Sequence, residues 1–312
     1  MEKPAYDPGI TQQYVGAIQR AVNPDGRFNV RRRGGTWRDA HPYLFLISTS
    51  WPVFFLILIA AFLTINLIFT GLYLAIGIEQ LKGTESESIR SEILRVFFFS
   101  TDTLTTLGYG NIWPSGLRAN ILAAAEAGCG LIGFAIATSL LFGRFSRPSA
   151  RIGFSKNMIV APYMDGSSLQ FRIVNRRNND VIELEAQVLL MTVEREEGRL
   201  RRKFVPLELE RDRVLFLALT WTIVHPITAT SPLYGKTAED LASLQAEVII
   251  LIKAFDETFG QTVHARYSYR YDEIVWGARF VPAFEVEEKT GDLLLEVEKV
   301  SAIELYRPEA PR

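Results

Sequence analysis

Residues 96–110 read VFFFSTDTLTTLGYG. The first part is apolar but far too short to cross a membrane, which takes roughly 20 apolar residues in a helix. The second part, TTLGYG at residues 105–110, is polar and rich in glycine. By itself it could be an ordinary turn. Its surroundings decide between that turn and a piece of backbone built to hold an ion.

On the N-terminal side, residues 44–78 carry no charge. Within them, residues 51–75, WPVFFLILIAAFLTINLIFTGLYLA, are long enough for a first membrane helix. On the C-terminal side, residues 119–143, ANILAAAEAGCGLIGFAIATSLLFG, hold a single charge, Glu126, and predict a second. The short apolar helix and TTLGYG between two spans read as a re-entrant segment. Non-helical backbone at membrane depth is tolerated only where protein buries it or where it lines a cavity. Arg31 to Arg33 and Arg38 precede the first span, and Arg144, Arg147 and Arg151 follow the second. The loop between the spans is mixed and slightly acidic, so the positive-inside rule predicts both termini in the cytoplasm.

In this setting the motif has a chemical reading. Rings of backbone carbonyls from a T-x-G-Y-G loop replace the water shell of a potassium ion. Glycines accept dihedrals closed to other residues and let carbonyls turn inward. The predicted ion-binding residues are Thr106, Leu107, Gly108, Tyr109 and Gly110, with K⁺ on the carbonyls of Thr106 to Tyr109 and the Thr106 hydroxyl. Leu107 and Tyr109 are expected to point away from the ion. One chain supplies one side of such a ring, so an oligomer with four-fold symmetry is expected. Asp102 and Thr105, at the end of the short helix, are candidate filter supports. Asp102 reads equally as an ordinary polar helix residue. Glu126 reads either as a functional intramembrane carboxylate or as a structural group hydrogen-bonded behind the filter.

The 312 residues allow two domains, and a net charge of −1 argues against nucleic acid as a partner. Cys129 is the single cysteine, and the three histidines are scattered, so neither a disulfide nor a zinc site is expected. The N-terminus has no apolar run suited to a cleavable signal. Residues 1–36 read as a cytoplasmic arm, solvated or anchored near anionic headgroups. In residues 37–48, Trp37, Ala40, Leu44 and Ile47 fall on one helical face and predict an interfacial helix, with Pro42 expected to break or kink its junction. Residues 49–148 form the expected membrane pore domain.

From residue 149 the pattern shifts to period two. SLQFRIVN, VIELEAQVLLMTVER, KFVPLELER, RVLFLALTWTIV, AEVIILIKAF and TVHARYSY read as strands separated by turn signals. TAEDLASLQ reads as a helix capped by Thr237, with Asp240 three residues on. Many short strands predict a β-sandwich over residues 149–312. GCGLIG, residues 128–133, matches a dinucleotide-binding pattern but follows no strand and lies inside an apolar span. Its glycines read as close-packing or bending points instead.

Together these stretches resemble the prokaryotic inward-rectifier potassium channels, the KirBac family. FFFSTDTLTTLGYG is similar to the pore helix and filter, and RFSRP to the linker after the inner helix. LTWTIVHPITATSPLYG and HARYSYRYDEIVWGARF are similar to two cytoplasmic signatures. The resemblance implies a homotetramer with an α-helical pore domain, two spans plus a re-entrant pore helix, and an immunoglobulin-like β-sandwich in the cytoplasm. It implies Gly130 as the inner-helix hinge, Phe142 as a hydrophobic gate, and Gly260 at the apex of a second constriction. It implies anionic lipids at Trp37, Arg38, Arg144, Arg147 and Arg151, Ba²⁺ as a blocker, no cofactor, and a bacterial inner membrane. Phe134 occupies the cavity position that is acidic in strongly rectifying members, so weak rectification is expected.

Other classes fit less well. A nucleotide-fold regulatory domain would need helices alternating with strands after residue 150. A tethered enzyme would need a clustered nucleophile, base or metal set, and His225 and His264 do not make one. A membrane-tethered β-domain binding module that conducts nothing is the remaining alternative.

Overall fold

The computed structural model describes residues 9–10, 12–13, 16, 20–30, 33–34, 41–84, 89–146, 151–196 and 198–306. Trp37, Arg38 and Arg147 lie outside the described residues. The chain forms two units, Arg33–Arg147 on the one hand and Met1–Arg32 with Pro148–Arg312 on the other.

The first unit is helical. α1 spans Pro42–Ser48, α2 Trp51–Ile76, β1 Leu81–Lys82, α3 Ile89–Leu104, β2 Trp113–Pro114 and α4 Leu117–Phe145. Residues 37–40 of the expected interfacial helix lie outside the described residues, and Pro42 is not where α1 parts from α2. It opens α1, where its missing N–H costs nothing and its fixed φ suits the first turn. The break falls later, at Thr49 and Ser50, both extended, just before Pro52. α2 and α4 are both long and apolar enough to cross a membrane. Apolar residues cover α2 almost all round, as lipid requires, yet its buried positions are Phe54, Asn66, Thr70 and Tyr73. The last three, spaced by four and three, form one face. Tyr73, Leu81, Val96, Phe99 and Ala119 make a small core that joins α2, α3 and α4. The Tyr73 and Phe99 rings meet edge to face at 5.2 Å.

The second unit is a β-sandwich. Its strands are β3 Ile152–Phe154, β4 Met158–Tyr163, β5 Gly166–Asn175, β6 Val181–Glu196, β7 Arg199–Pro206, β8 Arg213–Phe216 and β9 Thr220–Pro226. After the short helix α5, Ala238–Ser243, come β10 Glu247–Asp256, β11 Gln261–Arg270, β12 Ile274–Trp276, β13 Ala278–Phe280, β14 Phe284–Val286, β15 Leu293–Leu295 and β16 Ile303–Leu305. One sheet runs β11-β10-β6-β7, with β8 also paired to β6. The other runs β12-β4-β5-β3, with β9 also on β5. Leu169, Phe171 and Ile173 from the second sheet meet Leu184, Val188, Val248, Ile250 and Ile252 from the first. Alternation sends every second residue of β9 inward, Trp221, Ile223 and His225.

Thr237 caps α5 with a full capping box, as its spacing predicts. RVLFLALTWTIV, expected as one strand, is two. β8 belongs to one sheet and β9 to the other, and the chain crosses the sandwich between them. An unbroken run of apolar residues hides such a crossover, because both strands need the same residue types. KFVPLELER leaves its strand at Pro206, which cannot donate to a ladder.

The N-terminal arm is docked through Arg20, Ala21 and Val22, while residues 27–30 remain exposed. Val22 is buried with Met191, Phe204 and Ile249 against one sheet face. Arg20 donates to Glu273 Oε2 at 2.8 Å and to the Ser268 carbonyl, and the Ala21 N–H donates to Glu247 Oε1 at 2.7 Å. Further back, Gln13 bridges Arg201, and the Arg202 N–H donates to the Gln12 carbonyl. Residues 12–13 thus cover the β7 edge at Arg201 and Arg202, where backbone groups would otherwise stand unpaired.

Candidate ion-conducting site

The end of α3 shapes the motif. The Leu107 N–H donates to the Asp102 carbonyl at 2.8 Å, and the Thr106 N–H to the Thr103 carbonyl at 3.0 Å. These paired bonds, reaching back five and three residues, make a Schellman ending, whose turning residue is left-handed and usually glycine. Here that residue is Thr106, with φ 57°. A β-branched residue at positive φ is a conformational outlier of the kind that collects at functional sites. Gly108 at φ 58° and Gly110 at φ 81° continue the pattern. Positive φ therefore recurs at every second residue, with Leu107 and Tyr109 between.

Leu107 and Tyr109 are 55% and 70% exposed in the single chain. The TTLGYG segment has little of its own chain around it. Thr105 Oγ1 donates back to the Thr101 carbonyl at 2.7 Å. The Asp102 side chain is half-buried and makes no hydrogen bond among the described residues.

Glu126 is fully buried, and it joins three helices. Tyr73 Oη on α2 donates to Glu126 Oε2 at 2.7 Å, and Ser100 Oγ on α3 donates to Glu126 Oε1. Ser100 Oγ also lies 3.3 Å from the Asn66 carbonyl. Reading the sequence singled out Glu126 but missed Tyr73, Ser100 and Asn66. The available signal was the polar series Asn66, Thr70, Tyr73 at helical spacing within an apolar span.

Gly130 lies one turn after Glu126, and α4 runs through it without a break. A Cβ there would stand 1.9 Å from the Leu104 carbonyl oxygen. Its local role is close approach to the end of α3. Phe134 and Phe142 are 75% and 71% exposed. Gly260, at φ 60°, closes the β10–β11 turn between paired Asp256 and Gln261. Asp256 Oδ1 holds that turn by accepting from the Thr258 and Phe259 N–H groups.

The basic residues differ among themselves. Arg144 Nη1 and Nη2 donate to the Leu46 and Thr49 carbonyls at 2.5 and 2.8 Å. Its guanidinium lies 4.5 Å from both the Trp51 and Phe54 rings. Its charge is committed to the protein, at the end of α1 where carbonyls are unpaired. Arg151 is exposed.

Residues 152–309 match the family model described as the inward rectifier potassium channel C-terminal domain. The chain is 38% identical over 269 residues to the inward rectifier potassium channel Kirbac3.1 of Paramagnetospirillum magnetotacticum, covering 85% of this chain and 89% of the relative. It is 27% identical to the human G protein-activated inward rectifier potassium channel 3, covering 99% and 84%. With human channel 2 of the same type the identity is 28%, covering 94% and 74%. Two candidate spans followed by a β-sandwich fit the architecture of these channel relatives. The chain belongs to the inward rectifier potassium channel family, on its prokaryotic, KirBac-type branch. It is a potassium channel, an ion transporter rather than an enzyme.

Proposed function

We propose that K⁺ crosses passively at the carbonyls of Thr106, Leu107, Gly108 and Tyr109, with the Thr106 hydroxyl at the inner end. The observation that carries this reading is the positive φ at Thr106, Gly108 and Gly110. In a strand of uniformly negative φ, successive carbonyls alternate sides. Reversing every second residue re-aims every second peptide, so that neighbouring carbonyls can face one axis. Four copies around that axis would complete each ring and cover the exposed Leu107 and Tyr109.

Phe142 serves as a hydrophobic gate that dewets when narrow, and the Gly260 turn as a second constriction. Phe134 contributes no charge to the cavity, so block by internal polyamine is weak. Anionic lipids act through Trp37, Arg38, Arg147 and Arg151, in a bacterial inner membrane with both termini cytoplasmic. Arg144 supports that lipid role less, since its guanidinium is already held by α1.

The test is Rb⁺ uptake into liposomes holding the purified protein, with and without external Ba²⁺ and with Na⁺ as control. Ba²⁺-sensitive Rb⁺ uptake that excludes Na⁺ is expected. If wild type and Phe142→Ala both conduct nothing across several lipid mixtures, the chain is a tethered β-domain module instead.

A further inference from the structure

The outer end of the filter segment is clamped by an element the motif does not include. Gly110 is followed by Asn111 and Ile112, then by β2, which pairs antiparallel with β1. Leu81 faces Pro114 and Lys82 faces Trp113. The ladder is extended at one end by Ser115, whose N–H and Oγ both donate to the Gln80 carbonyl, at 2.8 and 3.2 Å. At the other end Gly83 lies against Asn111. A Cβ on Gly83 would stand 2.2 Å from the Asn111 carbonyl oxygen and 3.2 Å from its carbon. Gly83 also has φ 87°, in the left-handed region. Its own carbonyl accepts from Arg95 Nη1 on α3 at 3.2 Å. Thr84 Oγ1 closes the turn onto the Leu81 carbonyl at 3.0 Å.

Two independent constraints therefore require glycine at position 83, the backbone dihedral and the contact with Asn111. The second is the informative one. A turn alone would explain the positive φ. It would not explain a backbone-to-backbone approach to the residue directly after the filter segment. The filter segment is thus held at both ends by α3. Its inner end leaves α3 through the Schellman bonds, and its outer end meets Gly83, which Arg95 of α3 holds.

We propose that Gly83 and the β1–β2 ladder are positioning elements for ion selection, setting where the outer carbonyls of the filter stand. This rests on the filter reading above. Carbonyl position matters because the carbonyls must replace a hydration shell at fixed distance. A displaced Asn111 pulls directly on Gly110 and, through it, on the Tyr109 peptide.

The experiment is Rb⁺ uptake against Na⁺ uptake into liposomes, for the full chain, Gly83→Ala, Ser115→Ala and the control Gly71→Ala. Gly71 lies within α2 with nothing near a built Cβ. Gly83→Ala is expected to lower the Rb⁺-over-Na⁺ ratio by about tenfold, equivalent to about 1.4 kcal/mol. Ser115→Ala deletes one hydroxyl and adds no atom, and should lower the ratio by about threefold, one hydrogen bond's worth. Gly71→Ala should leave it unchanged. A purely structural role would change the amount of assembled protein and leave the ratio alone. Selective wild-type uptake with an unchanged ratio in Ser115→Ala, and in Gly83→Ala wherever that variant assembles, overturns the clamp and spares the filter reading. Wild type without Ba²⁺-sensitive Rb⁺ uptake overturns the filter reading and the clamp with it.

Discussion

Gly130 on α4 meets the Leu104 carbonyl at the last turn of α3 so closely that a Cβ would fall 1.9 Å from its oxygen. Gly128, two residues earlier on the same helix, faces open space. Ordinary helix energetics favour alanine over glycine by about 1 kcal/mol. Gly128→Ala should therefore be neutral or slightly stabilising. Gly130→Ala must shift backbone at the end of α3, beside TTLGYG, and should destabilise by about 1–3 kcal/mol. Thermal unfolding in detergent, with Rb⁺ uptake beside it, checks both. Equal effects would leave Gly130 as a bending point with no packing role.

The Glu126 cluster should behave as one unit. Tyr73→Phe removes a donor to a buried carboxyl and should cost about 1–3 kcal/mol. Ser100→Ala should cost a similar amount. The double variant should lose less than the sum of the singles, because all three groups share one network. Thermal unfolding of the purified protein in detergent gives the cycle.

Arg144 and Arg151 should separate under neutralisation. Arg144→Gln releases the Leu46 and Thr49 carbonyls and the two aromatic faces, so a spin label on α1 should become more mobile. Arg144→Lys should not restore the hold, since an ammonium cannot fork to two carbonyls while lying flat between rings. Arg151→Gln should leave α1 unchanged and shift the dose curve of Rb⁺ uptake against anionic lipid. Identical lipid curves for wild type and Arg151→Gln would refute the lipid role of that residue.

His225 makes the β-sandwich sensitive to acid. Burial pushes its imidazole below the ordinary 6.5, against an opposing pull from the Glu208 carbonyl. Its Nδ1 lies 2.6 Å from the Glu208 carbonyl and its Nε2 2.8 Å from Ser231 Oγ. With the folded value depressed, the unfolded chain binds the proton first. Stability is then full above about pH 6.5 and declines as pH falls from there toward the lower folded value. Thermal unfolding followed from pH 8 to pH 5 should show this decline, and His225→Gln should flatten it.

Much of this molecule is legible along the chain because its signals are local. A run of apolar residues long enough for lipid, with at most one charge, is a candidate membrane helix on length and composition alone. Thr237 with Asp240 three residues on is a helix start by its own hydrogen bonds. TTLGYG between two such runs is a filter candidate, and the period-two tail is a sandwich. Contacts between distant residues are a different matter. That RVLFLALTWTIV splits between two sheets depends on which partners each half finds. That Val22 packs on a sheet face depends on Met191, Phe204 and Ile249 lying side by side, which only strand register decides. Gly83 against Asn111, Gly130 against Leu104 and Tyr73 on Glu126 are approaches between segments far apart in sequence. Glycine, tyrosine and glutamate have the same identity whether or not a partner stands beside them. The sequence by itself determined the class of protein and marked TTLGYG as the candidate filter. Only the tertiary structure decided what holds that motif in place, because packing geometry is a property of neighbours in space.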